Sequence, residues 1–346
     1  MDILKIDGSF GEGGGQILRT AVSLSCITKK PIQIENIRNN RKEPGLRPQH
    51  LVAIKLLSKI CNAKVEGLHT GSTLIRFFPN EIQNMRLDED VGTAGSISLI
   101  LQTLILPASL STKKIELSIR GGTDVPWSPT MNYTKHVLSE AYRRIGISFS
   151  VKIRKRGYYP RGGGFVEASI SPSNKLKPLN LSGRVEKNAN VLCTSSNIAT
   201  SEISSAVDDV KTALENNGFT TTVETMEETA ANKGASILIF NHDANSITGY
   251  DELLDNKNGL FGKTSTTEFI NCDAGVDNRL SDMLVVPLSL INGLSIFVVK
   301  EITKHLETNL YITSKITGCK YGVGKTDAGF EIRIQGKSDS CIQKCC

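Results

Sequence analysis

The chain has 346 residues, 41 Lys+Arg against 35 Asp+Glu, and a formal net charge of +6. Apolar residues at 39% plus 30 glycines suffice for a real core, which excludes a disordered chain, and the length suits two or three domains. Aromatic residues at 5% argue against a surface built from rows of base-stacking rings.

The predicted elements come in a recurring order. Residues 4–7 read as a strand, and the cluster Gly11-Glu12-Gly13-Gly14-Gly15 feeds a helix over 16–27. A strand (31–37) and a second helix (47–60) follow, the latter with Leu51, Ile54, Leu57 and Ile60 on one face. Strands at 64–67 and 73–78 close this unit. A second unit repeats it: Gly92-Thr93-Ala94-Gly95 before a helix (96–106), a strand (114–119), a helix (131–145), then strands at 148–155 and 165–170. Residues 180–265 differ, reading strand (189–193), helix (201–217), strand (220–225), strand (236–240), with Ser201, Ser204 and Ser205 as N-cap candidates and Gly218 as the stop. A third unit reads strand (269–272), helix (278–290), strand (295–299), short helix (305–313), a partly extended stretch (311–316) and a last strand (330–334).

The expected fold is therefore α/β of the α+β type. Three β-α-β-α-β-β units over 1–179 and 266–337 form one large body, 180–265 is a small inserted α/β domain, and 338–346 is a flexible tail.

Cys26, Cys61, Cys193, Cys272 and Cys319 stand singly among apolar residues and read as core; Cys341, Cys345 and Cys346 crowd the tail. With no C-x-x-C there is no zinc module to expect. The N-terminus opens as a strand rather than a signal peptide, and the longest apolar stretch, 96–110, contains Gln102 and Pro107. A cytoplasmic protein without a membrane span is expected.

Glu12 is the first chemical clue. A carboxylate in a glycine loop suits phosphate chemistry when it holds a divalent cation. Gly324-Lys325-Thr326 ends like a Walker loop, but Cys319 stands where the first glycine belongs, so no P-loop is present. Arg38, Arg41 and Arg47 lie in a Gly/Pro loop with Gln49 and His50 behind it, and Arg19 sits in the first helix. These are phosphate-reading residues. Among five histidines, His69 and His242 read as partnerless loop residues and His136 as surface. His305 starts the second helix of unit three, as His50 does in unit one, and a neutral imidazole is a competent nucleophile towards phosphorus.

The run Asp7-Gly8-Ser9-Phe10-Gly11-Glu12-Gly13-Gly14-Gly15-Gln16-Ile17-Leu18-Arg19 resembles the N-terminal signature of the RNA 3′-terminal phosphate cyclase family. So do Arg38–His50, Gly92–Ser96 with Gln102, Gly121-Gly122-Thr123-Asp124, Tyr159-Pro160-x-Gly162-Gly163-Gly164 and His305-x-x-Thr308-Asn309, in the family's order. With His305 present, the sequence resembles the catalytic, ATP-dependent branch. The resemblance implies His305 attack on the α-phosphorus of ATP, transfer of AMP to an RNA 3′-phosphate, and closure of a 2′,3′-cyclic phosphate.

It further implies a divalent cation (Mg or Mn) on Glu12, and RNA or phosphate contacts from Arg19, Arg38, Arg41, Gln49 and His50. An ATP pocket would use Gln102, Pro129, Arg279, Leu280, Ser281, Asp282 and Met283. Members often carry an aromatic or His near Arg279 and Gln at Met283, so Arg279 is a candidate to stack on adenine here. A homodimer is the candidate assembly. The alternatives are a non-catalytic cyclase-like ribosome-biogenesis or RNA-binding protein and an enolpyruvyl-transferase-like enzyme.

Charge is unevenly spread. Residues 180–265 hold 6 basic and 12 acidic residues, the rest 35 and 23, so a basic body carries an acidic insert. The body, not the insert, is the expected RNA surface.

Overall fold

The computed structural model describes residues 3–83, 85–254 and 261–337; the tail and its three cysteines lie outside the described residues. In the first unit β1 (Leu4–Asp7) leads through α1 (Gly15–Thr28) to β2 (Ile32–Glu35), and α2 (Pro48–Ile60) leads to β3 (Lys64–Glu66) and β4 (Ile75–Phe78). The sheet order is β1-β2-β4-β3, with β1 and β2 parallel and the other pairs antiparallel. Pro48 starts α2, where its missing N–H costs nothing and its fixed φ suits the helix.

The second unit has β5 (Arg86–Asp90), α3 (Ile97–Ser109) and β6 (Ile115–Gly121). Next, α4 (Met131–Tyr133) runs through a π-turn (Thr134–Leu138) into α5 (Ser139–Arg144), and β7 (Phe149–Lys155) and β8 (Gly164–Ile170) follow. Its order, β5-β6-β8-β7, matches the first.

β9 (Asn180–Leu181) opens a third sheet that the chain then leaves. β10 (Asn188–Ser196), α6 (Thr200–Asn216), β11 (Thr220–Glu227), β12 (Gly234–His242) and β13 (Ile247–Leu253) build a separate sheet, order β11-β10-β12-β13, on which α7 (Lys263–Ile270) packs. Only Ile203, Val207, Val210 and Leu214 of α6 are buried, one stripe facing this sheet. The third unit then resumes with α8 (Asn278–Leu288), β14 (Gly293–Val299), α9 (Lys304–Thr317), β15 (Lys320–Thr326) and β16 (Gly329–Gly336). β14 pairs parallel with β9, giving the order β15-β16-β14-β9. α1 packs against α9 and α3, and α8 against α9, so helices of all three units meet in the middle of the body.

Several local expectations change. Residues 269–272 are not a strand: α7 runs to Ile270, and Phe269 is fully buried 5.3 Å from Phe219. Residues 311–316 are helical throughout, because α9 buries Ile312 and Ile316 in the main core, and that packing overrides the strand preference of Tyr-Ile-Thr. α6 starts after Ala199 with no side-chain cap, so none of the three serines caps it. Gly218 does follow the helix in a left-handed conformation, φ 81°. The strands β5, β13 and β15 were not expected; each has a polar or glycine-broken pattern. The five described cysteines are free and buried.

One junction ties insert to body. Arg156, at 0% exposure, follows β7 and donates to Asp124 Oδ2 (3.0 Å), Asn132 Oδ1 (2.8 Å) and Glu228 Oε2 (2.7 Å). Ser236 on β12 completes the net by donating to Asp124 Oδ1 at 3.0 Å. Nearby, His136 and His242 flank Phe240 at 5.3 and 5.2 Å, so His242, at the end of β12, is not a partnerless loop residue and His136 is half-buried rather than on the surface. No described helix is long and apolar enough to cross a membrane.

Candidate active site

The glycine loop between β1 and α1 lies against the start of α9. Thr303 caps α9, its hydroxyl accepting from Leu306 N at 3.0 Å, and this sets His305 in the first turn. A Cβ on Gly11 would collide with the Thr308 hydroxyl, and one on Gly14 would sit 2.8 Å from Glu12 Oε2 and 2.9 Å from Arg41 Nη2. Only glycines let the loop come this close.

His305 is half-exposed. Its Nδ1 faces two acceptors, Gln16 Oε1 and Glu12 Oε2, the latter at 3.0 Å. Nδ1 therefore carries the proton, which leaves the Nε2 lone pair free. Burial lowers the His305 pKa, and Arg19 and Arg41 push the same way against the opposing pull of Asp282. The ring is neutral at physiological pH. Glu12 also pairs with Arg41.

Behind the imidazole lies a second layer. Burial raises the Asp282 carboxyl to about 7, and Thr303 donates to its Oδ1 at 3.3 Å. Arg19 is pulled down to about 10 by burial, and its Nε has no hydrogen-bond partner among the described residues. His50 drops to about 3 through burial and the charges of Arg19, Arg38 and Arg47. It is thus a neutral imidazole. Its Nδ1 accepts from Arg47 N at 3.1 Å, and its ring meets Arg19 over Gly15.

The structure gathers Glu12, Arg19, Arg41, His50, Asp282 and His305, and adds Gln16. Two of the expected contact residues also brace their own surroundings. Arg38 Nη1 donates to Glu43 O (2.9 Å) and Gly45 O (3.0 Å), and Gln49 Oε1 accepts from Ser96 N at 2.9 Å. Gln102, Asp282 and Met283 line a small cavity of about 20 Å³ with Arg19, enough for roughly one water, and Gln102 Oε1 is buried there without a partner among the described residues. Leu280 and Ser281 are buried within α8, the Ser281 hydroxyl donating to Asn278 O.

Arg279 opens onto a cavity of about 530 Å³ between body and insert, within the range of small-molecule sites. Its guanidinium pairs with Asp251 and lies 5.4 Å from the Tyr133 ring centroid. Tyr133 OH donates to Asp277, which caps α8 through Arg279 N and Leu280 N. Arg279 and Asp282 are one helical turn apart, so the cavity and the histidine share a face of α8. Pro129 sits beside the cavity in a loop pinned at Pro129 O by Ser98 and at Thr130 N by Asp251. Sequence reasoning missed Gln16, Tyr133 and Asp251. Gln16 alone had a signal, its place in the glycine signature.

Among the described residues no group of three or more His, Cys, Asp or Glu side chains is arranged to hold a metal. The carboxylate of the glycine loop, Glu12, is engaged by Arg41 and by His305 Nδ1. Mg²⁺ takes one or two carboxylates and fills its shell with water and substrate phosphates, so a cation here would compete with Arg41 for Glu12.

These charges give stability a direction with pH. His50, His136 and His242 are held at about 3, 4 and 4 by burial, so their contribution is full above about 6.5 and is lost as pH falls towards 4. Asp277 and Asp282, raised to about 6 and 7, act oppositely, since their contribution is lost as pH rises through those values. With His305 lowered as well, histidines outnumber the opposing carboxyls. The urea midpoint is expected to be lower at pH 5 than at pH 7; a higher midpoint at pH 5 would contradict this.

Comparison with known proteins points one way. A family description reading RNA 3′-terminal phosphate cyclase matches residues 10–323. Proteins named RNA 3′-terminal phosphate cyclase are similar along their whole length. One from Methanococcoides burtonii is 40% identical over 336 residues, covering 96% of this chain and 100% of that one. One from Saccharolobus solfataricus is 39% identical, covering 96% and 100%, and one from Korarchaeum cryptofilum 38%, covering 97% and 99%.

Proposed function

The chain belongs to the RNA 3′-terminal phosphate cyclase family, and on that premise we propose that His305 is the nucleophile of an ATP-dependent cyclisation of RNA 3′-phosphate ends. The activity itself, a ligase reaction on RNA 3′-phosphates, follows from family membership.

The observation that carries the reading is the His305 ring, neutral, with Nδ1–H held by Gln16 and Glu12 and Nε2 free. Nε2 attacks the α-phosphorus of ATP; the bond to pyrophosphate breaks and AMP remains on nitrogen. An oxygen of the RNA 3′-phosphate then displaces nitrogen, forming RNA(3′)pp(5′)A. The vicinal 2′-hydroxyl attacks the 3′-phosphorus, closing the ring and releasing AMP. Arg19 and Arg41 offset the charge that builds on the phosphates. Adenosine occupies the cavity at Arg279, whose guanidinium, already over Tyr133 on one side, offers its other face to the base.

A divalent cation on Glu12 would supply charge neutralisation for the triphosphate. We assign the body to the catalytic site and treat 188–270 as the insert, since Asn180–Leu181 pairs with β14 and α7 packs on the insert's sheet.

The test is α-labelled ATP with Mg²⁺ or Mn²⁺ and denaturing electrophoresis. Acid-labile, alkali-stable label on the protein supports a phosphoramidate; no label with any metal overturns the reading. Glu12→Ala should weaken labelling and be partly restored by excess metal. Unchanged labelling at low metal would remove Glu12 from that role.

A further inference from the structure

Trp127 is the only tryptophan in the chain and is 95% exposed. Its backbone is left-handed, φ 63°, a costly state for a bulky residue. The loop around it is not loose. Ser128 Oγ donates to Val125 O at 3.0 Å, Ser98 holds Pro129 O at 2.7 Å, and Asp251 accepts from Thr130 N. The fold therefore holds a large ring out into water at a conformational cost, and that calls for a partner.

The ring stands at the mouth of the 530 Å³ cavity, whose lining also includes Tyr159 and Lys233. Tyr159 is 61% exposed, and Arg161 beside it and Lys233 are exposed too. Asn232 Nδ2 donates to Tyr159 O at 3.2 Å, fixing the Tyr159 turn to the insert. Two outward rings among cations are how single-stranded nucleic acid is held: bases stack on the rings and phosphates meet the charges. A small ligand is mostly enclosed by its pocket, so a ring left almost wholly in solvent at the mouth meets something that continues outward. The substrate that does so is the RNA strand.

We propose that Trp127 and Tyr159, with Lys233 and Arg161, form a stacking lip for the last bases of the RNA whose 3′-phosphate is presented to His305. This rests on the function proposed above. It is continuous with the site, because the cavity that the lip borders contains Arg279, one turn of α8 from Asp282. The low aromatic content of the chain does not exclude stacking on a lip of two rings.

A single tryptophan makes the native protein its own probe. Titration with a short 3′-phosphorylated oligoribonucleotide, without ATP, should quench and shift Trp127 emission by more than ATP alone does. Trp127→Ala should raise KM for RNA about 5- to 150-fold, the equivalent of 1–3 kcal/mol per stacked base, with protein adenylation retained at saturating labelled ATP and Trp127→Phe restoring most of the loss. Emission that answers to ATP and not RNA would hand the ring to the adenine and overturn the proposal. So would an unmoved RNA KM in Trp127→Ala. In either case normal adenylation would show that the cyclase reading stands; only absent adenylation would take that reading down.

Discussion

His305→Ala should lower both protein adenylation and RNA cyclisation by at least about 10⁴-fold, since removing a covalent nucleophile leaves no second route to the same intermediate. The pure RNA(3′)pp(5′)A intermediate, supplied ready-made, should still cyclise on the variant, because ring closure uses the RNA's own 2′-hydroxyl. The side chain is half-exposed, so the variant should fold with an unchanged denaturation midpoint. Gln16→Ala makes a graded companion. It removes one of the two groups that hold Nδ1–H and should cost less, with Glu12 still present at 3.0 Å. Wild-type labelling in His305→Ala would place the adenylate elsewhere.

Arg156→Ala should be the most destabilising single change at the body–insert junction, by about 3–5 kcal/mol, because it leaves Asp124 fully buried without its cation and Glu228 without a partner. Arg156→Met, which keeps volume but not charge, should also be damaging while Asp124 stays. The pair Arg156→Met with Asp124→Asn should recover part of the loss. Urea denaturation measures all three, and a single-variant loss below about 1 kcal/mol would contradict this role. Asp124, the partner of Arg156, lines the large cavity, so the same variants should raise KM for ATP while leaving the chemistry at His305.

The sequence was most informative where the site is contiguous. The glycine loop, Glu12, Arg19 and the His305 turn lie in short strings whose spacing survives folding. What it hid was use rather than type. Arg38 is a phosphate-reading residue by nature, yet its guanidinium closes its own loop; His50 is a base by nature, yet three arginines and burial keep it neutral. Contacts made across the chain were beyond reach for a different reason. Asp251 meets Thr130 across 121 residues and Tyr133 meets Asp277 across 144, and neither tyrosine nor aspartate carries any local mark of such a partner. The third unit was misread at 269–272 because a lone Phe among threonines looks like a strand until its neighbours Phe219 and Tyr250 are seen.

The interruption of the third sheet has a consequence in time. β9 waits for β14, which emerges more than a hundred residues later, and the contact between Thr20 and Asn309 closes across 289 residues. The loop that would cradle phosphate leaves the ribosome first and the histidine last. The first unit, the second unit and the insert each own a complete sheet and can fold during synthesis, but no partial chain ending before α9 contains a reactive centre. The reaction is switched on only once α9 has been made and docked on α1, and folding to activity should be slow beside folding to secondary structure, as the contacts it needs are distant in sequence.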